Sequence, residues 1–230
     1  MAKKVKNAPT QTEANVGEIF SRSEKFIETY KNLILIVVAA IILIVVAILG
    51  VRQYYFIPKE KEAQAAIFPG ENYLANQQWG LALNGDSVSY SGFLGIIDDY
   101  GITKTAKLAK VYAGICYYHL NQPEEALTYL KGFSANDRVV SPLVLGLIGD
   151  CYVDLGETEK GVDFFKKAAS KLNSQTLSPI YLKKAGTAYE SLFDYKKAVE
   201  VYNTLKDQYP DSQEAAGIDK YIERATLQIK

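Results

Sequence analysis

The sequence predicts an all-α protein in which one N-terminal transmembrane helix precedes a solenoid of repeated helical hairpins. Two observations predict this fold class. The nineteen residues of segment 33–51 carry no charge, which is long enough to cross a membrane as a helix. After this segment, a pattern of small and aromatic residues recurs three times at intervals of 35 and 37 residues. Intervals of this size are typical of stacked two-helix repeats.

The composition argues against several classes of protein. The 230 residues are 48% hydrophobic and 23% charged, and their formal net charge is zero, whereas nucleic-acid-binding proteins usually carry a basic face. Two cysteines, Cys116 and Cys151, and one histidine, His119, are too few for a disulfide framework or a histidine metal site. The cysteines occupy equivalent positions one repeat apart, so we expect two separate, packed thiols.

The apolar segment 33–51 is the first strong signal along the chain. As a helix it would span roughly 28 Å, close to the ~30 Å hydrocarbon core of a bilayer. A buried core helix seldom stays apolar on every face for this length. A cleaved signal peptide has an apolar region of about 7–15 residues followed by small residues, a pattern that this segment lacks. We therefore predict a retained signal anchor that contacts membrane lipid.

The charges that flank the anchor give a weak bias toward a cytoplasmic N-terminus. The tail, residues 1–32, carries six basic and four acidic residues, but three basic residues lie close to the membrane on each side. A short tail before a long domain also fits an anchor that translocates the domain. The tail is predicted to be partly helical, because apolar residues recur in it at helical spacing. They form either an interfacial amphipathic helix or an extension of the anchor.

The repeated pattern occupies residues 105–210. Each unit has a small residue, an aromatic residue three positions later, a small residue nine further on, and a large apolar residue after four more. The small residues allow two antiparallel helices to approach closely, and the large ones fill the space beside them. The three units carry this pattern at Gly114, Tyr117, Ala126 and Leu130, at Gly149, Tyr152, Gly161 and Phe165, and at Gly186, Tyr189, Ala198 and Tyr202.

This pattern resembles the tetratricopeptide repeat, whose period is about 34 residues. The segments LGETEKGVDFFKKA and YESLFDYKKAVEVYNTLKDQYP carry the resemblance. The sequence departs from the motif where Lys110, Leu145 and Leu182 replace the first-helix tryptophan. We expect three full repeats over residues 105–210.

Weaker units are predicted on both sides of the three repeats. Gly70, Tyr73 and Ala82 have the same offsets, so residues 52–104 are expected to form a juxtamembrane helix and a degenerate first repeat. Pro69 should kink or end the first helix of that unit. An apolar stripe in residues 211–230 predicts a C-terminal capping helix, which a solenoid needs at its exposed end.

The sequence contains no recognisable catalytic motif. Asp98-Asp99 and Glu124-Glu125 are adjacent carboxylates that point apart on a helix, and segment 101–105 lacks the pattern of a phosphate loop. We therefore predict a non-enzymatic protein that needs no cofactor and no metal.

The predicted function is binding of protein segments in the concave groove, which the first helix of each tetratricopeptide hairpin lines. Chaperone-tail-binding members of the family hold a terminal carboxylate with a Lys, Asn and Arg set that is missing here. An apolar or amphipathic segment is therefore the expected ligand. The alternative is that some of the apolar candidates belong to the core. The groove positions of the motif fall on Leu108, Val111, Ile115, Tyr118, His119, Leu143, Gly146, Asp150, Val153, Asp154, Ile180, Lys183, Thr187, Glu190 and Ser191.

The order of tail, anchor and repeat domain resembles the YfgM-like ancillary subunits of the bacterial Sec translocon. The stretches IFPGENYLANQQWGLALNGD, GFLGIIDDYGITKTAKLAKVYAGICYY and SPIYLKKAGTAYESLFDYKKAV are similar to Bacteroidetes-type members, and the resemblance covers roughly residues 15–230. It implies a single-pass inner-membrane protein with a periplasmic domain. The implied partners are the SecYEG translocon, a PpiD-like membrane-anchored periplasmic chaperone, and unfolded or emerging secretory proteins. The alternative is a scaffold of another cell-envelope complex for secretion, division or outer-membrane assembly.

Overall fold

The computed structural model describes residues 11–86, 88–133, 137 and 139–229, with side chains from residue 29 onward. The chain divides into two compact units, Met1–Pro58 and Lys59–Lys230. All regular elements of the described residues are helical, which confirms the predicted fold class. The first ten residues of the predicted tail lie outside the described part.

The first unit contains one long helix and a short π-helix. Helix α1 runs from Gln11 to Val51, and the π-helix covers Arg52–Phe56. Among the described residues, one stretch of helix that begins at Thr29 is long and apolar enough to cross a membrane, by length and composition alone. No residue of its most apolar window is buried. The predicted anchor 33–51 lies within this stretch.

The second unit is a stack of helical hairpins. Pairs α5–α6, α7–α8 and α9–α10 form the three full repeats, and α11 packs on α10 as the predicted cap. Helices α2 and α3 are joined by a tight turn and form the degenerate first repeat. The helices have the bounds α2 Ile57–Ala75, α3 Trp79–Asn84, α4 Gly92–Asp99, α5 Lys104–His119, α6 Pro123–Lys131, α7 Val140–Asp154, α8 Thr158–Leu172, α9 Ser178–Ser191, α10 Tyr195–Gln208 and α11 Ile218–Leu227.

Each hairpin turns through the same helix ending. The carbonyl of a tyrosine accepts a hydrogen bond from the backbone N–H five residues later, and the residue before the donor has a positive φ, as in a Schellman motif. The four bonds join Gln78 to Tyr73, Gln122 to Tyr117, Glu157 to Tyr152 and Asp194 to Tyr189, at 2.8 to 2.9 Å. The positive-φ residues are Gln77, Asn121, Gly156 and Phe193. The degenerate first repeat therefore has the same turn as the full repeats.

The first-helix glycine of each repeat marks the close contact that the pattern predicts. A Cβ atom added at this glycine would overlap the large side chain of the second helix, so no larger residue fits without a shift. The distances would be 2.5 Å from Gly114 to Leu130, 2.6 Å from Gly149 to Phe165, and 2.2 Å from Gly186 to Tyr202.

The degenerate first repeat departs from this scheme, because its second helix is interrupted. Helix α3 ends after six residues, and the loop that follows is held by Asp86, whose carboxylate accepts three backbone N–H bonds from residues 88–90. Tyr90 and Phe93 then pack against Gly70, in place of the large second-helix residue. The Tyr90 hydroxyl donates a hydrogen bond of 2.9 Å to the carbonyl of Ala82.

Pro69 was predicted to kink or end the first helix, and it does not end it, since α2 continues through it to Ala75. A proline removes one i→i−4 hydrogen bond from a helix. Here Ile67 and Gly70, on either side of it, are buried against the rest of the unit. Packing therefore keeps the helix continuous.

Candidate protein-binding groove

A cleft of about 470 Å³ opens between the first helices of the second and third repeats, α7 and α9. Its size lies within the ~300–1,000 Å³ typical of ligand pockets. The side chains of Val153, Phe165, Ile180 and Ala188 supply its apolar surface. The cleft brings together six of the predicted groove residues, which are Asp150, Val153, Ile180, Lys183, Thr187 and Ser191.

An ion pair joins the two helices beside the cleft. Nζ of Lys184 donates to both carboxylate oxygens of Asp150, at 2.8 and 2.7 Å. Burial raises the pKa of Asp150, and the hydrogen bond and charge of Lys184 offset this only in part. The pair thus holds a partly desolvated carboxylate on the wall of the cleft.

Tyr118 of α5 lies next to the last turn of α7. Burial raises the pKa of its hydroxyl to about 12, and the charges of Asp150 and Asp154 act in the same direction. The pKa of Cys151 is also raised to about 12, first by burial and then by these two carboxylates. The carboxylates of Asp150 and Asp154 therefore lie close to the Tyr118 hydroxyl and the Cys151 thiol.

Three aromatic rings extend this surface toward the degenerate first repeat. The ring of His119, at the end of α5, stacks on that of Trp79, with centroids 4.1 Å apart and planes within 9°. The same ring contacts Tyr118 edge-on, at 5.6 Å. His119 is exposed, and Trp79 is half-buried. These rings continue the surface beyond Tyr118.

Three predicted groove residues do not line an open surface. Gly146 is buried, and the ring of Tyr181 fills the space beside it. Val111 is only 6% exposed and packs in a core cluster with Val144 of the following repeat, so its prediction as a groove residue was wrong. Glu190 accepts a hydrogen bond from Tyr202 at 2.7 Å and pairs with Arg224 at 2.8 Å. Glu190 therefore ties α9 to α10 and α11.

The remaining candidates lie outside the cleft. Leu108 and Ile115 are half-buried on α5, while Leu143 at the start of α7 and Asp154 at its end are exposed. They share the first-helix surface with the cleft but do not line it.

Comparison with known families agrees with this architecture. Models of the tetratricopeptide repeat match residues 144–170 and 182–212, which are the second and third hairpins. The second and third hairpins are tetratricopeptide repeats. A crystal structure of the MamA protein is similar in fold, with a TM-score of 0.53 and 17% identity, over 72% of this chain and 87% of that one. A second MamA crystal structure covers 69% of this chain and 93% of its own, at 17% identity and a TM-score of 0.48. Comparison with curated protein sequences gives no match.

Four residues that line the cleft between α7 and α9 were not among the predicted groove positions: Phe165, Lys184, Ala188 and Glu214. Phe165 was predicted as a large packing residue, and it has this role in the core beneath the cleft, with 2% of its surface exposed. Lys184 carried a usable signal, because it lies 34 residues after Asp150, one nominal repeat, and has the opposite charge. Glu214 lies in the connection before α11, whose path is not predictable from the repeat.

The described residues contain no candidate metal site, and both of their cysteines are buried. No group of three or more His, Cys, Asp and Glu side chains there could hold a metal ion. Cys116 and Cys151 are both free and buried, as predicted. Burial raises the pKa of Cys116 to about 12, so this thiol is unreactive at neutral pH.

Proposed function

We propose that this chain is a non-catalytic, membrane-anchored adaptor that binds protein segments in the groove of its tetratricopeptide domain. The observation that carries the proposal is the cleft between α7 and α9, which is open to solvent and lined by apolar side chains on rigid helices. The matching family models describe an interaction repeat rather than a catalytic domain. An apolar side chain of a partner that enters the cleft would be removed from water, which stabilises the complex.

The proposed location is the bacterial inner membrane, with a cytoplasmic N-terminus and a periplasmic tetratricopeptide domain. Exposed apolar side chains throughout segment 33–49 support insertion into lipid. The π-helix that follows exposes Tyr54, Tyr55 and Phe56, and aromatic rings are enriched at the membrane–water interface. This arrangement supports an anchor more than a cleaved signal sequence.

The proposed partners are the SecYEG translocon and a PpiD-like membrane-anchored chaperone. The domain would receive unfolded or emerging secretory segments and hand them over. Support comes from the order of tail, anchor and repeats, and from the apolar cleft, which suits segments that have not yet buried their own apolar residues.

The test is affinity purification of the full-length protein from its native membrane in mild detergent, followed by mass spectrometry. A version with residues 1–58 alone is the control for contacts made by the anchor. Enrichment of translocon subunits and a membrane-anchored chaperone over this control would support the adaptor function. Enrichment of a different envelope complex would make the protein a scaffold of that complex instead.

A pair of variants tests whether the cleft is used. Ile180→Glu places a charge in the cleft, whereas Ile102→Glu places one at an exposed site that does not line it. We expect Ile180→Glu to lose the captured proteins and Ile102→Glu to retain them. Equal capture by both variants would exclude the cleft as the binding site.

A further inference from the structure

A surface pocket of about 450 Å³ lies at the C-terminal end of the predicted anchor. Four of the five residues that line it are apolar, and the fifth is an arginine. The lining residues are Ala47, Ile48, Val51, Arg52 and Phe56. The binding of protein segments proposed above makes no use of this pocket.

The π-helix shapes this pocket. In it, the backbone N–H of Ile57 donates to the carbonyl of Arg52, five residues earlier. In an α-helix, residues five apart point about 140° from each other, whereas an i→i+5 turn brings the later residue back toward the same side. The turn therefore places Phe56 on the face of Val51, and the small side chain of Ala47 leaves space below them. Since π-turns are rare and frequent at functional sites, this pocket is a candidate binding site.

The pocket crosses the boundary between hydrocarbon and headgroups if the anchor spans a bilayer. Val51 is the last residue of the apolar segment, so Ala47 lies about 6 Å inside that boundary, and Phe56 lies beyond it. Tyr54 and Tyr55, which are 85% and 53% exposed, support this depth, because tyrosines are enriched at membrane–water interfaces. A phospholipid spans the same boundary, with its acyl chains on one side and its phosphate on the other.

Arg52 is the charged member of the lining. No other charged residue occurs in the sequence between Lys31 and Lys59. The side chain of Arg52 is exposed, and the ion pairs found among the described residues do not include it. A guanidinium without a carboxylate partner favours phosphate, which it can bind through two parallel hydrogen bonds. The charge of Arg52 thus complements a phosphate at the depth where a phospholipid carries it.

On the basis of the proposed membrane location, we propose that this pocket binds one phospholipid with an anionic headgroup. An acyl chain lies against Ala47 and Val51 beside the ring of Phe56, and the lipid phosphate binds Arg52. In a zwitterionic lipid, the ammonium group of the headgroup already compensates the phosphate. An anionic headgroup, such as that of phosphatidylglycerol, leaves the phosphate to Arg52 and is therefore favoured.

The test is native mass spectrometry of the full-length protein in mild detergent, with equal amounts of phosphatidylglycerol and phosphatidylcholine of the same chain length. We expect the wild type to retain one molecule of phosphatidylglycerol in preference to phosphatidylcholine. Arg52→Gln should reduce the retained phosphatidylglycerol about fivefold, the effect of one basic residue at an anionic lipid surface. Glycerol 3-phosphate, which has no acyl chain, should not be retained, and its retention in place of the lipid would overturn the lipid site.

Two pairs of variants separate the pocket from general properties of the anchor. Ala47→Leu fills the pocket and should reduce the retention of both lipids, whereas Ala39→Leu adds the same side chain outside it and should not. Lys61→Gln removes an exposed charge outside the pocket and should leave retention unchanged, in contrast to Arg52→Gln. Equal losses within either pair would overturn the assignment of the lipid to this pocket.

A wash of native membranes with sodium carbonate tests the anchor independently. If the wild type stays in the washed membranes but retains phosphatidylglycerol no better than Arg52→Gln does, the lipid site is overturned and the anchor stands. Release of the wild type by carbonate would overturn the anchor, and with it the proposed location and the lipid site. A specific cross-link from Ala47→Cys to another membrane protein would assign the pocket to a partner helix instead of a lipid.

Discussion

Nζ of Lys184 lies 2.7 Å from a carboxylate oxygen of Asp150, and this pair joins the first helices of two successive repeats. The same two motif positions meet between the degenerate first repeat and the first full repeat, where the hydroxyl of Tyr112 donates to Glu71 at 3.0 Å. Between the first and second full repeats these positions hold Ile115 and Leu147, which pack against one apolar cluster. The same two motif positions are therefore occupied by an ion pair, by a hydrogen-bonded pair and by apolar residues in successive repeats.

Removal of Lys184 should destabilise the repeat domain. Lys184→Met would leave the half-buried carboxylate of Asp150 without its cation, and we expect a loss of about 1 kcal/mol in the free energy of unfolding, since both side chains are partly exposed. Urea unfolding of the full-length protein in detergent measures this. In a double-mutant cycle with Asp150→Asn, additive losses would show that the pair contributes nothing to stability.

Glu60 should stabilise the start of α5 in a pH-dependent way. Its carboxylate accepts hydrogen bonds from the backbone N–H groups of Lys104 and Thr105, at 2.7 and 3.2 Å, and from the Thr105 hydroxyl at 2.8 Å. Burial raises the pKa of Glu60, but these bonds and one from Gln64 outweigh it, so its pKa is lowered on folding. The stabilisation is therefore full above the unfolded pKa and disappears as pH falls through the folded value.

The corresponding variant is Glu60→Gln, which keeps the shape and removes the charge. We expect it to lower the free energy of unfolding by about 0.5–1 kcal/mol at pH 7, the size of a helix-cap effect, and to match the wild type once the carboxylate is protonated. Unfolding curves between pH 7 and 3 measure the difference. Glu62→Gln, at an exposed site on the same helix, is the control and should show no such trend.

Gly186 should tolerate no side chain. A Cβ atom there would lie 2.2 Å from the ring of Tyr202, which is fully buried and bonded to Glu190. Gly186→Ala must displace this ring, and we expect a loss of about 1–3 kcal/mol. Gly80→Ala is the matched control, since its Cβ meets no atom within 4 Å, and should stabilise α3 slightly. A drop in thermal midpoint for both would contradict the packing explanation.

Phe193 is expected to strain the last hairpin turn. Its φ is +59°, a conformation that disfavours bulky residues by about 1–2 kcal/mol, and its side chain is 78% exposed. Gly156 takes the equivalent position in the preceding repeat. Phe193→Gly should therefore raise the thermal midpoint of unfolding. A lower midpoint would mean that the edge-on contact of Phe193 with Tyr195 stabilises the turn by more than the strain.

The sequence by itself determined the helices, the repeat register and the apolar helix. These depend on local periodicity and on residue size, because the first-helix glycine of each full repeat leaves space for the large side chain of the facing helix. The sequence could not decide whether the helix ends at Pro69. A local rule for proline does not include the packing of Ile67 and Gly70, which decides the outcome.

Only the tertiary structure decided which predicted groove positions are open. Val111, Gly146 and Lys183 occupy one motif position, yet Val111 is buried against the next repeat, and the ring of Tyr181 fills the space beside Gly146. Lys183 lines the cleft, with its Nζ 4.9 Å from the ring centre of Tyr221. The physical reason is that exposure of a first-helix residue depends on the size of the side chain that the following repeat places against it. That neighbour is about 35 residues away in the chain, beyond any local pattern.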